Sequence, residues 1–171
     1  RFRPGWDEYL IQQLKSCPSK KPILTTYPIG YEIGDVEDIY PEDCIRGTLL
    51  YATKFDENGI LRQSARRMKD VPKAPVPTLL WASGFSFSSA KMLKECPYDP
   101  NLRSLFFGEE ISMAARLWTS GWDFFAPTET VLFHLWKRTH RPSFRETRNK
   151  ENAQLKAEDE KNSRDFVFEL L

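Results

Sequence analysis

Phe107-Gly108-Glu109-Glu110-Ile111-Ser112-Met113-Ala114-Ala115-Arg116-Leu117-Trp118-Thr119-Ser120-Gly121-Trp122-Asp123-Phe124-Phe125-Ala126 is the stretch that decides the fold. Ile111, Ala115 and Trp118 recur at helical spacing and share a face. Two acids open the segment and Gly121 closes it, which predicts a helix over Glu109 to Ser120. Trp122 to Ala126 then reads as a strand. Pro127-Thr128 splits it from a second strand over Thr130 to Trp136. Helix and apolar strands alternate here, and the pattern favours an α/β domain.

The flanking sequence agrees. Trp6, Leu10 and Leu14 recur every four residues behind Asp7 and Glu8, predicting a helix over 6–15 that Pro18 ends. Ile23 to Thr26 is a short strand. Residues 32–43 hold six acids and no base, and read as a solvated loop, with an acceptor- or metal-facing role as the alternative. Arg46 to Phe55 is a strand, Asp56-Glu57-Asn58-Gly59 a turn, and Ile60 opens the returning strand. Pro72, Pro75 and Pro77 keep the next stretch extended. Leu79 to Ala82 reads as a buried strand, and Ser88 or Ser89 as the cap of a short helix over Lys91 to Glu95. Residues 137–150 carry six bases against one acid, Glu146. The organisation expected is one unit over 1–150 and a charged helix over 151–171.

Composition narrows the function classes. The chain has 171 residues, 40% of them hydrophobic, enough for a core. Its 25 basic and 24 acidic residues leave a net charge of +1, so no global field draws it to nucleic acid or to a membrane surface. Apolar runs stop at about four residues, far short of the ~20 a spanning helix needs. Cys17, Cys44 and Cys96 are few and scattered, which argues against a disulfide framework or a structural zinc site and leans toward a reducing, cytoplasmic compartment. The chain begins at Arg1 rather than Met, and is expected to be part of a longer protein.

Four groups of residues carry chemical potential. Trp81-Ala82-Ser83-Gly84 puts a glycine and a small hydroxyl directly after an apolar run, where a ligand can approach the backbone. A turn glycine under packed aromatics has the same pattern. Glu109 and Glu110 lie at a helix N-terminus, where the dipole favours negative charge. Arg116 shares a face with Glu109 and is placed to hold it ionised; simple capping with a surface ion pair is the bland alternative. His134 is a polar residue in an apolar strand, either a satisfied core histidine or a metal ligand. Lys137, Arg138, His140 and Arg141 suit phosphate, or else a solvated basic loop. No Walker loop, Gly-x-Ser-x-Gly elbow or His-Glu-x-x-His is present.

In their order, Trp81 to Phe87, Tyr98-Asp99-Pro100, Phe107 to Glu110, Arg116 to Asp123 and Phe133-His134-Leu135-Trp136 resemble the polypeptide N-acetylglucosaminyltransferases that modify hydroxyproline. Arg1-Phe2, Gly5-Trp6-Asp7 and Leu24-Thr25-Thr26-Tyr27-Pro28 fit the same family. The likeness covers roughly residues 1–145. The order is similar, more distantly, to the mucin-type polypeptide N-acetylgalactosaminyltransferases. There a Gly-Glu opens a helix with an Arg seven residues on, and a metal-ligating His in a late strand is followed by basic and His residues that meet the nucleotide. Glu109, Arg116, His134, Lys137 and His140 occupy those places.

The resemblance implies a GT-A type, Rossmann-like domain with a mixed sheet, of which this chain is the C-terminal portion. It implies metal-dependent, retaining transfer of N-acetylglucosamine from UDP-GlcNAc to a hydroxyproline or Ser/Thr hydroxyl, with Mn2+ as cofactor and a protein or peptide as acceptor. Glu109 and Glu110 are then the catalytic pair, Glu109 orienting the sugar. Trp81, Ser83, Gly84, Arg116, Lys137, Arg138 and His140 bind the donor, and His134 binds the metal. One departure stands out. The Asp-x-Asp or Asp-x-His metal motif has no counterpart here; in the resembled family it lies just ahead of the Arg1-Phe2 segment. That leaves two alternatives: a non-catalytic sugar- or protein-binding module of transferase-like fold, and an interaction protein using the basic 137–150 segment.

Overall fold

A computed structural model describes residues 1–31, 45–102, 106–137, 141–142, 146–147 and 153–171. The acidic segment 32–43, with Arg138 and His140, lies outside the described residues. The elements are α1 (Trp6–Ser16), β1 (Pro22–Thr25), β2 (Ile29–Gly30), β3 (Thr48–Phe55), β4 (Leu61–Arg67), β5 (Val76–Thr78), β6 (Ser86–Phe87), α2 (Lys91–Glu95), α3 (Glu109–Thr119), β7 (Asp123–Ala126), β8 (Phe133–His134) and α4 (Ala153–Leu170). The result is a mixed α/β architecture with a mixed central sheet, as the alternation of helix and strand predicts.

The central sheet has the order β5-β7-β1-β6. β1 and β7 are parallel, with Ile23 opposite Phe124 and Leu24 opposite Phe125. β5 and β6 flank them antiparallel. Successive side chains on a strand point to opposite faces, and that period of two sorts the core. Ile23 and Phe124 face one side and pack with Met113, Leu117, Trp81 and Trp122. Leu24 and Phe125 face the other and pack with Leu10 of α1, Phe85 and Val131. α1 is pinned further by polar contacts: the Tyr9 hydroxyl pairs with Thr128 Oγ1 at 2.6 Å, and the Glu129 amide donates to Tyr9 Oη at 2.9 Å.

Three sequence expectations need correction. The buried face of α3 is Ser112, Met113, Ala114 and Leu117, whereas Trp118 is 52% exposed. The reason is that α3 packs on the sheet through Met113, Ala114 and Leu117, and the indole lies outside that contact. Leu79 to Ala82 is not a strand. Trp81 and Ala82 are buried but Leu79 is exposed, because the backbone here is satisfied by side chains rather than by a ladder. The Ala82 amide donates to Thr25 Oγ1 at 2.9 Å, and Gln63 Nε2 donates to the Trp81 carbonyl at 2.8 Å. The long strand expected over Thr130 to Trp136 shortens to β8, which pairs parallel to β2 through Phe133 and His134. In addition, α2 begins without a side-chain cap, the Ser88 hydroxyl being spent on the Pro22 carbonyl at 3.0 Å.

β3 and β4 form a hairpin, kinked by a register shift between Ala52 and Lys54. Its inner face buries Leu50 with Leu80 and Ala82, flanked by Tyr27, Leu61 and Ala65. α4 rests on the hairpin turn and on the loop after Asp99. Val167 is buried, Arg164 donates to Asn58 Oδ1 at 3.1 Å, and Ser163 Oγ donates to the Asn101 carbonyl at 3.3 Å.

The chain enters β3 through Gly47, pressed against residues 127–128. Gly47 N donates to the Thr128 carbonyl at 3.0 Å, and a Cβ here would stand 2.3 Å from the Pro127 oxygen. Backbone on backbone leaves nothing to rotate away. Gly47→Ala is therefore expected to destabilise by about 1–3 kcal/mol, the range for overpacking. At about 2–4 °C per kcal/mol for a chain of this size, the melting temperature should fall by roughly 3–10 °C. A melting curve indistinguishable from the parent protein would show that this close approach does not exist.

Candidate functional site

The site forms where β1 ends, the hairpin folds over and α3 begins. Gly108 adopts φ 128°, a conformation that L side chains rarely take, and so turns the chain sharply into α3. The turn aims the first two helical residues, Glu109 and Glu110, at different surroundings, since adjacent positions on a helix sit about 100° apart.

Glu110 points inward. Its Oε1 accepts the Ser83 amide at 3.0 Å and the Ser83 hydroxyl at 3.3 Å. Its Oε2 accepts Gln63 Nε2 at 3.0 Å and the Tyr27 hydroxyl. Gln63 Nε2 also lies 3.0 Å from Tyr27 Oη. One carboxylate thus ties α3, β4, the end of β1 and the Ser83-Gly84 loop together. Burial, then the hydrogen bond given to Glu110, drives the Tyr27 phenol well above its usual range, so it stays a donor. Gly84 lies on the same knot, with its Cβ position 3.4 Å from Pro28 Cδ and 3.8 Å from Tyr27 Cδ1. Trp81 is fully buried beneath it, its Nε1 donating to Ser86 Oγ at 3.0 Å.

Beside the knot opens a cleft of about 40 Å³, walled by Gln63, Glu110, Gly108, Phe107 and Arg62. The Arg62 guanidinium lies 3.2 Å from the centroid of the Phe107 ring, and Phe106 is 62% exposed at the lip.

Glu109 lines a different cavity, of about 200 Å³, with Tyr98, Asp99, Ser112, Met113 and Arg116. Burial chiefly, and the neighbouring Glu110 charge next, push the Glu109 carboxyl above its ordinary value. Arg116 shares the cavity without pairing with Glu109: its Nη1 approaches Met113 Sδ at 4.0 Å, and no Glu109–Arg116 ion pair forms within 4.0 Å. The ion pair expected from their spacing is therefore absent, because the Arg116 stem runs along Met113 on the same helix.

His134 lies on the β2–β8 pair, opposite Gly30, which is itself three residues along the chain from Tyr27. Its carbonyl accepts the Tyr31 amide at 3.1 Å, and its ring packs against Trp136 at 4.1 Å between centroids. On its other side runs the start of the chain. Arg3 N donates to Val131 O at 3.1 Å, Phe2 bridges Leu132, and Phe133 N donates to Arg1 O at 2.8 Å. Lys137 follows, exposed. Among the described residues no three His, Cys, Asp or Glu side chains converge as a metal site around His134 or elsewhere.

Tyr27 and Gln63 were not foreseen as site residues. Gln63 had a trace in the sequence: it falls on the inward set of β4, between Leu61 and Ala65, and an inward polar side chain needs partners. Tyr27 stood only within the Leu24 to Pro28 segment of the family resemblance, with no sign of its partners, since only the fold brings residues 27, 63, 83 and 110 together.

Comparison with known families fits this arrangement. The chain belongs to the Glycosyltransferase (GlcNAc) family, whose model matches residues 1–169. No curated protein gives a match. The class of activity is glycosyl transfer. No helix among the described residues is long and apolar enough to cross a membrane.

The raised Glu109 carboxyl has a thermodynamic consequence. Its folded pKa lies above the unfolded one, so the fold binds an extra proton between the two values and loses stability as pH rises through them. Glu109→Gln should therefore raise the melting temperature at neutral pH. That gain should vanish as pH falls below the unfolded carboxyl value of about 4.3. A gain independent of pH would show that the charge is not the cause.

Proposed function

We propose that this protein transfers N-acetylglucosamine from UDP-GlcNAc to a hydroxyl of a protein, hydroxyproline or Ser/Thr, with retention and with Mn2+, in a GT-A type fold. The observation that carries the proposal is the Glu110 knot beside an open cleft in a chain of the glycosyltransferase family. The parallel pair β1 and β7, helices on both faces and a site beyond the β1 carboxyl end support the fold assignment. A cytoplasmic setting belongs to the same proposal. Cys17 and Cys96 are free and buried, and burial pushes the Cys17 thiol up to about 11.

The roles follow from position. Glu110 holds the Ser83-Gly84 loop at a fixed distance from α3 by taking the Ser83 amide and hydroxyl, so the loop keeps its shape beside the cleft. Glu109, facing an open cavity, accepts hydrogen bonds from sugar hydroxyls, with Arg116 as a donor across the same space. Departure of the diphosphate leaves an electron pair on its bridging oxygen. Lys137 and Arg138 are the cationic groups, and His140 the further hydrogen-bond donor, assigned to that charge. Mn2+, when bound, would add to the same stabilisation, and His134 would be its ligand from this chain. Among the described residues no group of three or more metal-ligating side chains converges there.

Two variants test the reading. Glu109→Gln removes a hydrogen-bond acceptor of charge and should lower kcat/KM by roughly 10- to 100-fold, from a loss of ~1.5–3 kcal/mol. It should do so while raising stability at neutral pH, the combination expected where function costs stability. His134→Ala should weaken the Mn2+ dependence of UDP-GlcNAc hydrolysis and of transfer to a hydroxyproline peptide, with an unchanged melting temperature. UDP-GlcNAc binding with no turnover under any metal would favour the non-catalytic module. Unaltered Mn2+ dependence in His134→Ala would remove His134 from the metal.

A further inference from the structure

We infer that the outer face of the β3–β4 hairpin docks an acidic, extended segment of the acceptor protein. The inference rests on the reading that the acceptor is a protein, and it adds where that protein is held.

Residues opposite one another in an antiparallel pair share a face. Leu50 opposite Ala65, and Ala52 opposite Gln63, define the inner face that buries the core and reaches Glu110. The opposite face is then Leu49 with Arg66, Tyr51 with Ser64 and, past the kink, Lys54 with Arg62. It carries three cations and no carboxylate. Tyr51 is 40% exposed in its middle, with the Arg66 guanidinium 5.9 Å from the ring centroid. Lys54 and Arg66 are exposed. Asp56, in the turn beyond, pairs with Arg62 at 3.8 Å. Among the described residues β3 has β4 as its sole strand neighbour.

The face is continuous with the site. Arg62 turns from it over Phe107 at the lip of the cleft beside Glu110. A segment lying along the hairpin would run into that cleft. The chemistry that fits is carboxylates for Lys54 and Arg66 and an apolar or ring group for Tyr51. Nucleic acid fits less well, because the chain as a whole carries only +1 and offers no wider positive field.

The test uses the full chain and two labelled synthetic hydroxyproline peptides, one flanked by Asp and Glu and one by Asn and Gln. A single-stranded RNA oligomer of matching charge is the third probe. Anisotropy should show the acidic peptide bound about five- to tenfold tighter than the neutral one at low salt, the range for a few exposed ion pairs. The double variant Lys54→Glu with Arg66→Glu should abolish that preference while leaving UDP-GlcNAc binding intact, and Arg66→Lys should retain most of it. An unchanged preference in the double variant overturns the inference. So does RNA binding that is tighter than the acidic peptide and lost in the same variant. UDP-GlcNAc binding is read separately: its absence in the parent protein would sink the transferase reading while the peptide preference still reports on the docking face.

Discussion

The Glu110 carboxylate is the junction on which the arrangement around it depends. It takes four donors from three other segments, at the first turn of a helix whose dipole already favours negative charge. Carboxylates that accept several hydrogen bonds are held more strongly than neutral groups. Removing the carboxylate would leave the part-buried Tyr27 hydroxyl short of an acceptor, where unsatisfied groups are costly, and would release the exposed Ser83 amide and hydroxyl to solvent. The Ser83-Gly84 loop has no ladder of its own. It is fixed from above by Glu110 and from below by Thr25, whose hydroxyl accepts the Ala82 amide and donates to the Phe85 carbonyl at 3.0 Å.

That junction also explains the neighbouring acid. Glu109 cannot share the donors that Glu110 has taken, because the two side chains diverge around the helix. It is left in a cavity, partly desolvated, beside a like charge, and both influences oppose its ionisation. Two adjacent glutamates of identical sequence character thus acquire different work. One is satisfied and holds the frame. The other retains unspent hydrogen-bonding capacity next to open space, which is the property a ligand-orienting group requires.

How much of this the sequence disclosed depends on whether the determinant was local. The start and end of α3 were legible because Gly108, the two acids and Gly121 act within one turn. The face of α3 was not, because Ile111, Ala115 and Trp118 satisfy the helical period as well as Met113, Ala114 and Leu117 do, and only the sheet's position chooses between them. The hairpin was legible from Asp56 to Gly59. Leu79 to Ala82 misled because an apolar run reports burial, and burial here comes with side-chain rather than strand hydrogen bonds. At the site, Glu109, Glu110, Ser83 and Gly84 stood out by residue type. The partners of Glu110 did not, since separations of 27, 47 and 83 residues along the chain leave no periodic trace.

The hairpin illustrates how one strand serves two demands. On β4, Gln63 faces inward to the carboxylate, while Arg62 and Ser64 on either side of it face out. The period of two makes this division automatic once register is set, and a slip by one residue would exchange the two sets entirely. Burial of Leu50 against Leu80 and Ala82 resists such a slip. The irregularity between Ala52 and Lys54 then adds the turn needed locally: a bulge increases strand twist and redirects the side chains beyond it. Because of it, Lys54 comes opposite Arg62 rather than Arg62 meeting a neutral residue, and the Arg62 guanidinium turns back over Phe107 beside the cleft. Arg62 therefore joins the charged outer surface to the carboxylate-centred interior.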